Sequence, residues 1–302
     1  MSIVIDTERG KKVAKLLYNS FLTMGIHGRT YIPEDRTPNG VINGSLEHIL
    51  FITLTVSINY KRDTPSLWDS SRKTFNDPET RYLFDPELLH ETPLEKIVED
   101  MQRYNLSQKP QQDADIWRTV GVTFYEKWGG DPRNFLKDCN WDSSLIVKHL
   151  RTDTHLDNGE SSPDYPYLRS PRIRPLWLMM LRDNAGIVQL RNLETIPILV
   201  DIHVARATLA TGIVKGQFKG TLDELSEDIR KAWFGSVNEL STKNRSMIAL
   251  DLDQPLAHLS EYGCSNRDEI TGDCPVFNKC ETREFCIKGK IKTNKNIVDL
   301  KT

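Results

Sequence analysis

Four cysteines, Cys264, Cys274, Cys280 and Cys286, fall at the spacing C-x9-C-x5-C-x5-C near the C-terminus, and only Cys139 lies elsewhere in the 302-residue chain. Thiolates converging from one short, helix-poor segment can close four-coordinate around zinc or hold an iron-sulfur cluster. Either group would supply folding energy that the local sequence lacks. Zinc knuckles use tight C-x2-4-C pairs, whereas every gap here is five residues or longer. Long gaps favour a 4Fe-4S cubane with the chain wrapped around it, with zinc as the alternative. A disulfide framework would suit an oxidising compartment, yet the N-terminus MSIVIDTERGKK has no apolar h-region and no cleavage signal. The expected location is therefore cytoplasmic or nucleoid-associated, and not secreted.

A formal charge of −2, from 40 Lys and Arg against 42 Asp and Glu, excludes a general polycation but leaves room for local basic faces. Arg169, Arg172, Arg174, Arg182 and Arg191 lie in a stretch whose only acid is Asp183. The tail carries Lys279, Arg283, Lys288, Lys290, Lys292 and Lys295. Such faces can track a phosphate backbone; the plain alternative is a solvated face and a frayed tail. The longest apolar runs, 49–56 and 176–181, fall well short of the roughly 18 residues of a membrane span, so no membrane partner is expected.

The elements that must position these groups read as helices. Residues 11–24 place Val13, Leu16, Leu17 and Phe21 on one stripe, and 45–58 is apolar almost all round, as a central buried helix would be. Thr92-Pro93-Leu94-Glu95 and Thr221-Leu222-Asp223-Glu224 read as capping boxes opening helices to about 104 and 234. A helix over 113–128 stops at Gly129 and Gly130, another spans 174–182, and a further one begins at Asp201, which sits where an N-cap belongs, and ends near Gly212. The Asp-, Ser- and Pro-rich stretch 152–171 reads as a long surface loop. No convincing alternating strand is visible, so the expected fold class is all-α.

The order of a hairpin region, then VDIHVAR at 200–206, then the cysteine quartet resembles the helix-hairpin-helix DNA glycosylases of the endonuclease III type. In that family a V-D-T-H-V-x-R motif follows the hairpin, and a terminal C-x6-C-x2-C-x5-C loop binds a 4Fe-4S cluster. The likeness covers roughly residues 45–286; its last cysteine gap matches and its first two gaps are longer here. It implies a two-lobed fold: a six-helix lobe at 45–190, and a second lobe from 1–44 plus 191–302 that ends in a cluster loop at 264–286.

By this resemblance Asp201 takes the place of the catalytic aspartate. Breaking an N-glycosidic bond develops positive charge on the sugar, and a fixed carboxylate beside the anomeric carbon stabilises that charge and can orient water. An ordinary N-cap is the plain alternative for a lone aspartate. His203 and Arg206 share the motif and would support the helix start or reach phosphate. Where the family reads L-P-G-V-G-R-K-T-A, the chain has Ser170-Pro171-Arg172-Ile173-Arg174-Pro175-Leu176, so Arg172 and Arg174 replace the hairpin glycines that admit a DNA phosphate. The lysine of bifunctional members falls at Leu176, which cannot form a Schiff base, so lyase activity is not expected. Asn59 falls where an amide enters the space of an extruded base, or is a polar helix end, and Tyr60 and Lys61 are neighbouring candidates for stacking or phosphate contact.

The resemblance thus implies a monomeric, monofunctional N-glycosylase acting on DNA, duplex rather than single-stranded. A noncatalytic iron-sulfur nucleic-acid-binding protein, or a hydrolase of modified nucleosides or nucleotides, are the alternatives.

Overall fold

The structure, a computed structural model, describes the chain except Met1, 29–34, Lys61, Asn158, Asn244 and Lys295. Lys61 and Lys295, singled out above, therefore lie outside the described residues. The chain divides into two compact units, one of Tyr31–Ile196 and one of Met1–Thr30 together with Pro197–Thr302. The described residues form twelve α-helices, a four-stranded sheet and a two-stranded hairpin, so the protein is mostly helical rather than all-α. No described helix is long and apolar enough to cross a membrane.

The central unit is built on α2 (Leu46–Ser57), whose residues from His48 to its end are all buried. Its Thr53 hydroxyl accepts from the indole N–H of Trp177 on α9 (Ile173–Asp183) at 3.0 Å, satisfying two buried polar groups with one bond. Phe51 packs among Trp68 and Phe75 of α3 (Thr64–Asn76) and Phe84. The layer continues through Trp117 of α6 (Pro110–Trp128), whose indole donates to the Leu83 carbonyl at 2.5 Å. Gly129 ends α6 in the left-handed conformation, as the glycine pair predicts.

Short helices complete this unit: α4 (Pro86–Glu91), α5 (Leu94–Gln102), α7 (Pro132–Asp138) and α8 (Ser143–Thr152). The expected capping box at Thr92 does not form. Thr92 ends α4, with its hydroxyl turned back to the Leu88 carbonyl at 2.6 Å, and Pro93 is the N-cap of α5. Two helices meet there in too few residues for the threonine to serve the second.

The stretch 152–171 is not a plain surface loop. It folds as an antiparallel hairpin of β2 (Thr154–Asp157) and β3 (Glu160–Pro163), followed by a turn anchored by fully buried Asp164, Tyr165 and Leu168. Tyr165 packs on Phe124 and Phe135, and Asp164 is paired by Lys127 at 2.5 Å and His155 at 3.0 Å.

The terminal unit combines α1 (Thr7–Thr23), α10 (Ile202–Ala210), α11 (Leu222–Val237) and α12 (Asp253–Tyr262) with a sheet of order β1-β4-β6-β5. All pairings are antiparallel, between β1 (Ser2–Ile5), β4 (Val214–Thr221), β6 (Ile297–Lys301) and β5 (Lys290–Asn294). The last two strands account for much of the expected frayed tail. Val298 and Leu300 alternate inward beside Ile291 and Thr293, while the lysines point outward. Lys290 pairs with Asp299 and Lys292 with Glu269 at 3.8 Å, and Lys288, just before β5, pairs with Asp273 at 2.5 Å. The capping box at Thr221 and Glu224 forms as expected, with both reciprocal bonds present.

Candidate functional site

Helix α10 joins the two groups of residues that the sequence marks as chemical. Its N-cap is Asp201, whose Oδ1 accepts from the backbone N–H groups of His203 and Val204, each at 2.9 Å. The extended backbone at Asp201 and the buried positions Val204, Ala205, Thr208 and Leu209 behind it explain why the helix starts there and buries that face. Oδ2 of this half-buried carboxylate takes no hydrogen bond among the described residues. The cap uses one carboxylate oxygen and leaves the other for an approaching electrophile or water.

The far end of α10 meets the cysteines. Ala210 and Thr211 line a pocket whose wall also holds Cys264, Cys274, Cys280 and Cys286, beside Arg267, Phe277 and Arg283. With nine residues in α10, the carboxylate and this cavity stand about 13 Å apart along the helix axis. The C-terminal carbonyls of α10, which a helix leaves unpaired, are taken by groups from the cysteine segment and from α1. Ile287 N–H donates to Ala210 O at 3.0 Å, and Arg9 Nε donates to Thr211 O at 2.6 Å. Gly212 follows at φ +69°, and a Cβ there would stand 2.6 Å from Ile287 Cγ2, so only glycine lets the cysteine segment close on the helix end.

Zinc and an iron-sulfur cluster ask for different spacings of the four sulfurs. Tetrahedral zinc at about 2.3 Å from each sulfur would draw the four thiolates to roughly 3.8 Å from one another. Among the described residues, the one set of three or more His, Cys, Asp or Glu ligand atoms within 4.8 Å of each other is His27, Cys280 and Glu281. No three of the four sulfurs gather that closely. A cubane would ask for a wider quartet, and the four cysteines that line this pocket are the residues that would hold it. Burial, reinforced by the neighbouring cysteines, holds the Cys264 thiol well above the usual thiol range, and burial also raises Cys280. Cys139 stands apart in the central unit, where burial pushes its thiol up to about 12, the state of an inert core cysteine.

The other expected site residues have these surroundings. Arg206 donates to the hydroxyls of Thr293 at 3.1 Å and Ser260 at 3.3 Å, tying α10 to β5 and α12. His203 is half-buried and its Nδ1 is buried without a hydrogen-bond partner. In the central unit, Asn59 lies just beyond the C-cap residue Ile58 of α2 and accepts from the Thr64 hydroxyl at 3.3 Å. Tyr60 stacks on Tyr167 with centroids 4.1 Å apart, beneath the Lys109 ammonium, and its hydroxyl donates to Asp113 at 2.5 Å. Arg172 is exposed at the start of α9, and half-buried Arg174 donates to the Arg169 carbonyl at 3.2 Å. Arg9, Gly212 and the His27–Glu281 pair complete the cysteine site, and no spacing in the sequence points to them. No protein-family model and no curated protein sequence matches the chain.

Proposed function

We propose that the protein is a monofunctional N-glycosidase acting on DNA, related to the helix-hairpin-helix glycosylases. Asp201 is its electrostatic catalyst, and a 4Fe-4S cluster held by Cys264, Cys274, Cys280 and Cys286 is its structural anchor. The observation that carries this reading is α10 itself, with a partly unpaired carboxylate capping one end and the four-cysteine cavity closing on the other. A cluster bound there would fix the C-terminal end of α10 and so hold the carboxylate against a reacting sugar. Leu176 supplies no amine, so water is the nucleophile and the product is an abasic sugar. Base extrusion precedes hydrolysis, because a stacked base hides its glycosidic bond.

The test is a base-release screen. Wild type and Asp201→Asn protein are incubated with duplex oligonucleotides carrying a panel of damaged or modified bases, and alkali-labile sites are counted. Release that depends on Asp201 and leaves the strand unbroken before alkali supports the reading. Salt-sensitive binding with no release from any oligonucleotide overturns it in favour of a binding protein, and release from free nucleosides alone replaces the DNA substrate with a small one.

A further inference from the structure

His27, from outside the cysteine segment, stands beside Cys280, one of the pocket cysteines. His27 follows α1, and three features fix its imidazole. Its backbone sits at φ +50°, a left-handed conformation that non-glycine residues rarely adopt. Its own N–H donates to Glu281 Oε1 at 2.9 Å. Gly263, next to Cys264, leaves the room the ring occupies, since a Cβ there would stand 2.5 Å from His27 Nε2. The ring end so positioned is unsatisfied: Nε2 is buried without a hydrogen-bond partner, as is Glu281 Oε2, 3.9 Å away. The third member of this group is Cys280, with its sulfur within 4.8 Å of both. A buried ring nitrogen without a hydrogen-bond partner is costly, and the Cys280 sulfur and Glu281 Oε2 are the acceptor atoms that stand near it.

We propose that His27 is a positioning residue of the metal centre, donating an Nε2–H···S hydrogen bond to the Cys280 thiolate once the cluster is bound. This rests on the cluster reading above. Cys280 already meets the Thr282 hydroxyl at 3.4 Å, so the histidine gives its sulfur a second donor. Adding one electron to a cluster places more negative charge on its thiolates. A donor aimed at one of them therefore stabilises the reduced form and raises the reduction potential.

The experiment measures the midpoint potential of the iron-loaded protein on an electrode, for wild type, His27→Phe and His27→Gln. Phenylalanine keeps the ring volume without a donor; glutamine keeps an N–H. The expected result is a shift to lower potential in His27→Phe, with iron content unchanged, and a smaller shift in His27→Gln. Pulsed EPR of the reduced wild-type protein carrying ¹⁵N-histidine, which needs no variant, should show a weak nitrogen coupling of hydrogen-bond size. Equal potentials in all three proteins, an absent coupling, or the strong coupling of a directly ligated nitrogen would overturn the proposal while leaving the cluster in place. Protein that purifies with zinc and no iron would overturn this proposal and the cluster reading together.

Discussion

Arg9 reaches from the first helix of the terminal unit to the cysteine segment, where its Nη2 donates to the Phe285 carbonyl at 2.6 Å and its guanidinium lies 5.5 Å from the Phe285 ring centroid. The same side chain holds the Thr211 carbonyl at the end of α10, so one cation ties three segments. Hydrogen bonds from charged donors contribute about 1.5–3 kcal/mol, and lysine cannot reproduce the two-pronged geometry. Arg9→Ala should lower the unfolding free energy by about 2–4 kcal/mol and speed iron loss to a chelator, with Arg9→Lys recovering only part. Thermal melts and chelator kinetics check both; an unchanged rate of iron loss would mean that Arg9 does not hold the segment.

If the proposed cluster is bound, replacing any one pocket cysteine removes a ligand from it. Cys264→Ser and Cys280→Ser should each abolish the visible absorbance of the cluster and unfold the terminal unit at lower temperature. Cys139→Ser should keep the iron, because that thiol lies in the other unit. Iron analysis with circular dichroism melts reads the difference, and full iron content in Cys264→Ser would remove that residue from the ligand set.

How much of this could be read from the sequence depended on how local the signal was. Asp201 as an N-cap, the capping box at Thr221 and the glycine stop after Trp128 are set by residues three or four apart, and they fold as their spacing predicts. The sheet was hidden because its strands are four to eight residues long, and the two last ones present lysines on one face and only Ile291, Thr293, Val298 and Leu300 on the other. Period-two patterns that short blend into a basic tail. The hairpin at 154–163 was masked by its Asp, Ser and Pro content. Arg9 and His27 were illegible for a different reason: their partners lie more than 200 positions away along the chain.

Trp177 and Thr53 give the central unit its own test. Removing the hydroxyl leaves a buried indole N–H without a partner, which costs about 1–3 kcal/mol, and the two residues are fully buried. Thr53→Val keeps the shape and loses the acceptor, so denaturant unfolding should show a loss of that size with iron binding untouched. A change below about 0.5 kcal/mol would mean that the bond is not made.

Acid should loosen α1 through its own cap. Asp6 accepts from Arg9 N–H at 3.0 Å and pairs with Lys215 at 3.2 Å, and the backbone hydrogen bond, helped by Lys215, holds its carboxyl below 3.8. A depressed pKa adds stability that is present above the unfolded value and is lost as pH falls through the folded one. Asp6→Ala should therefore cost about 1 kcal/mol at neutral pH, with the gap to wild type narrowing only below about pH 4. Denaturant melts across that range check the sign; a gap that widens in acid would contradict it.

At Asp201 the structure allows the cap and the proposed chemistry to be measured separately. Asparagine offers an oxygen to the His203 and Val204 N–H groups and so keeps the cap, but it carries no negative charge. Serine also caps and withdraws the oxygen further from any sugar. Alanine loses both functions. Stability should therefore follow Asp201 ≈ Asn ≈ Ser above Ala by about 1 kcal/mol. Base release should fall by about 10²-fold or more in all three variants, because the fixed charge opposite the developing oxocarbenium is gone in each. If activity instead tracked stability, with Asn and Ser near wild type and only Ala impaired, Asp201 would be a helix cap alone and the source of catalysis would lie elsewhere.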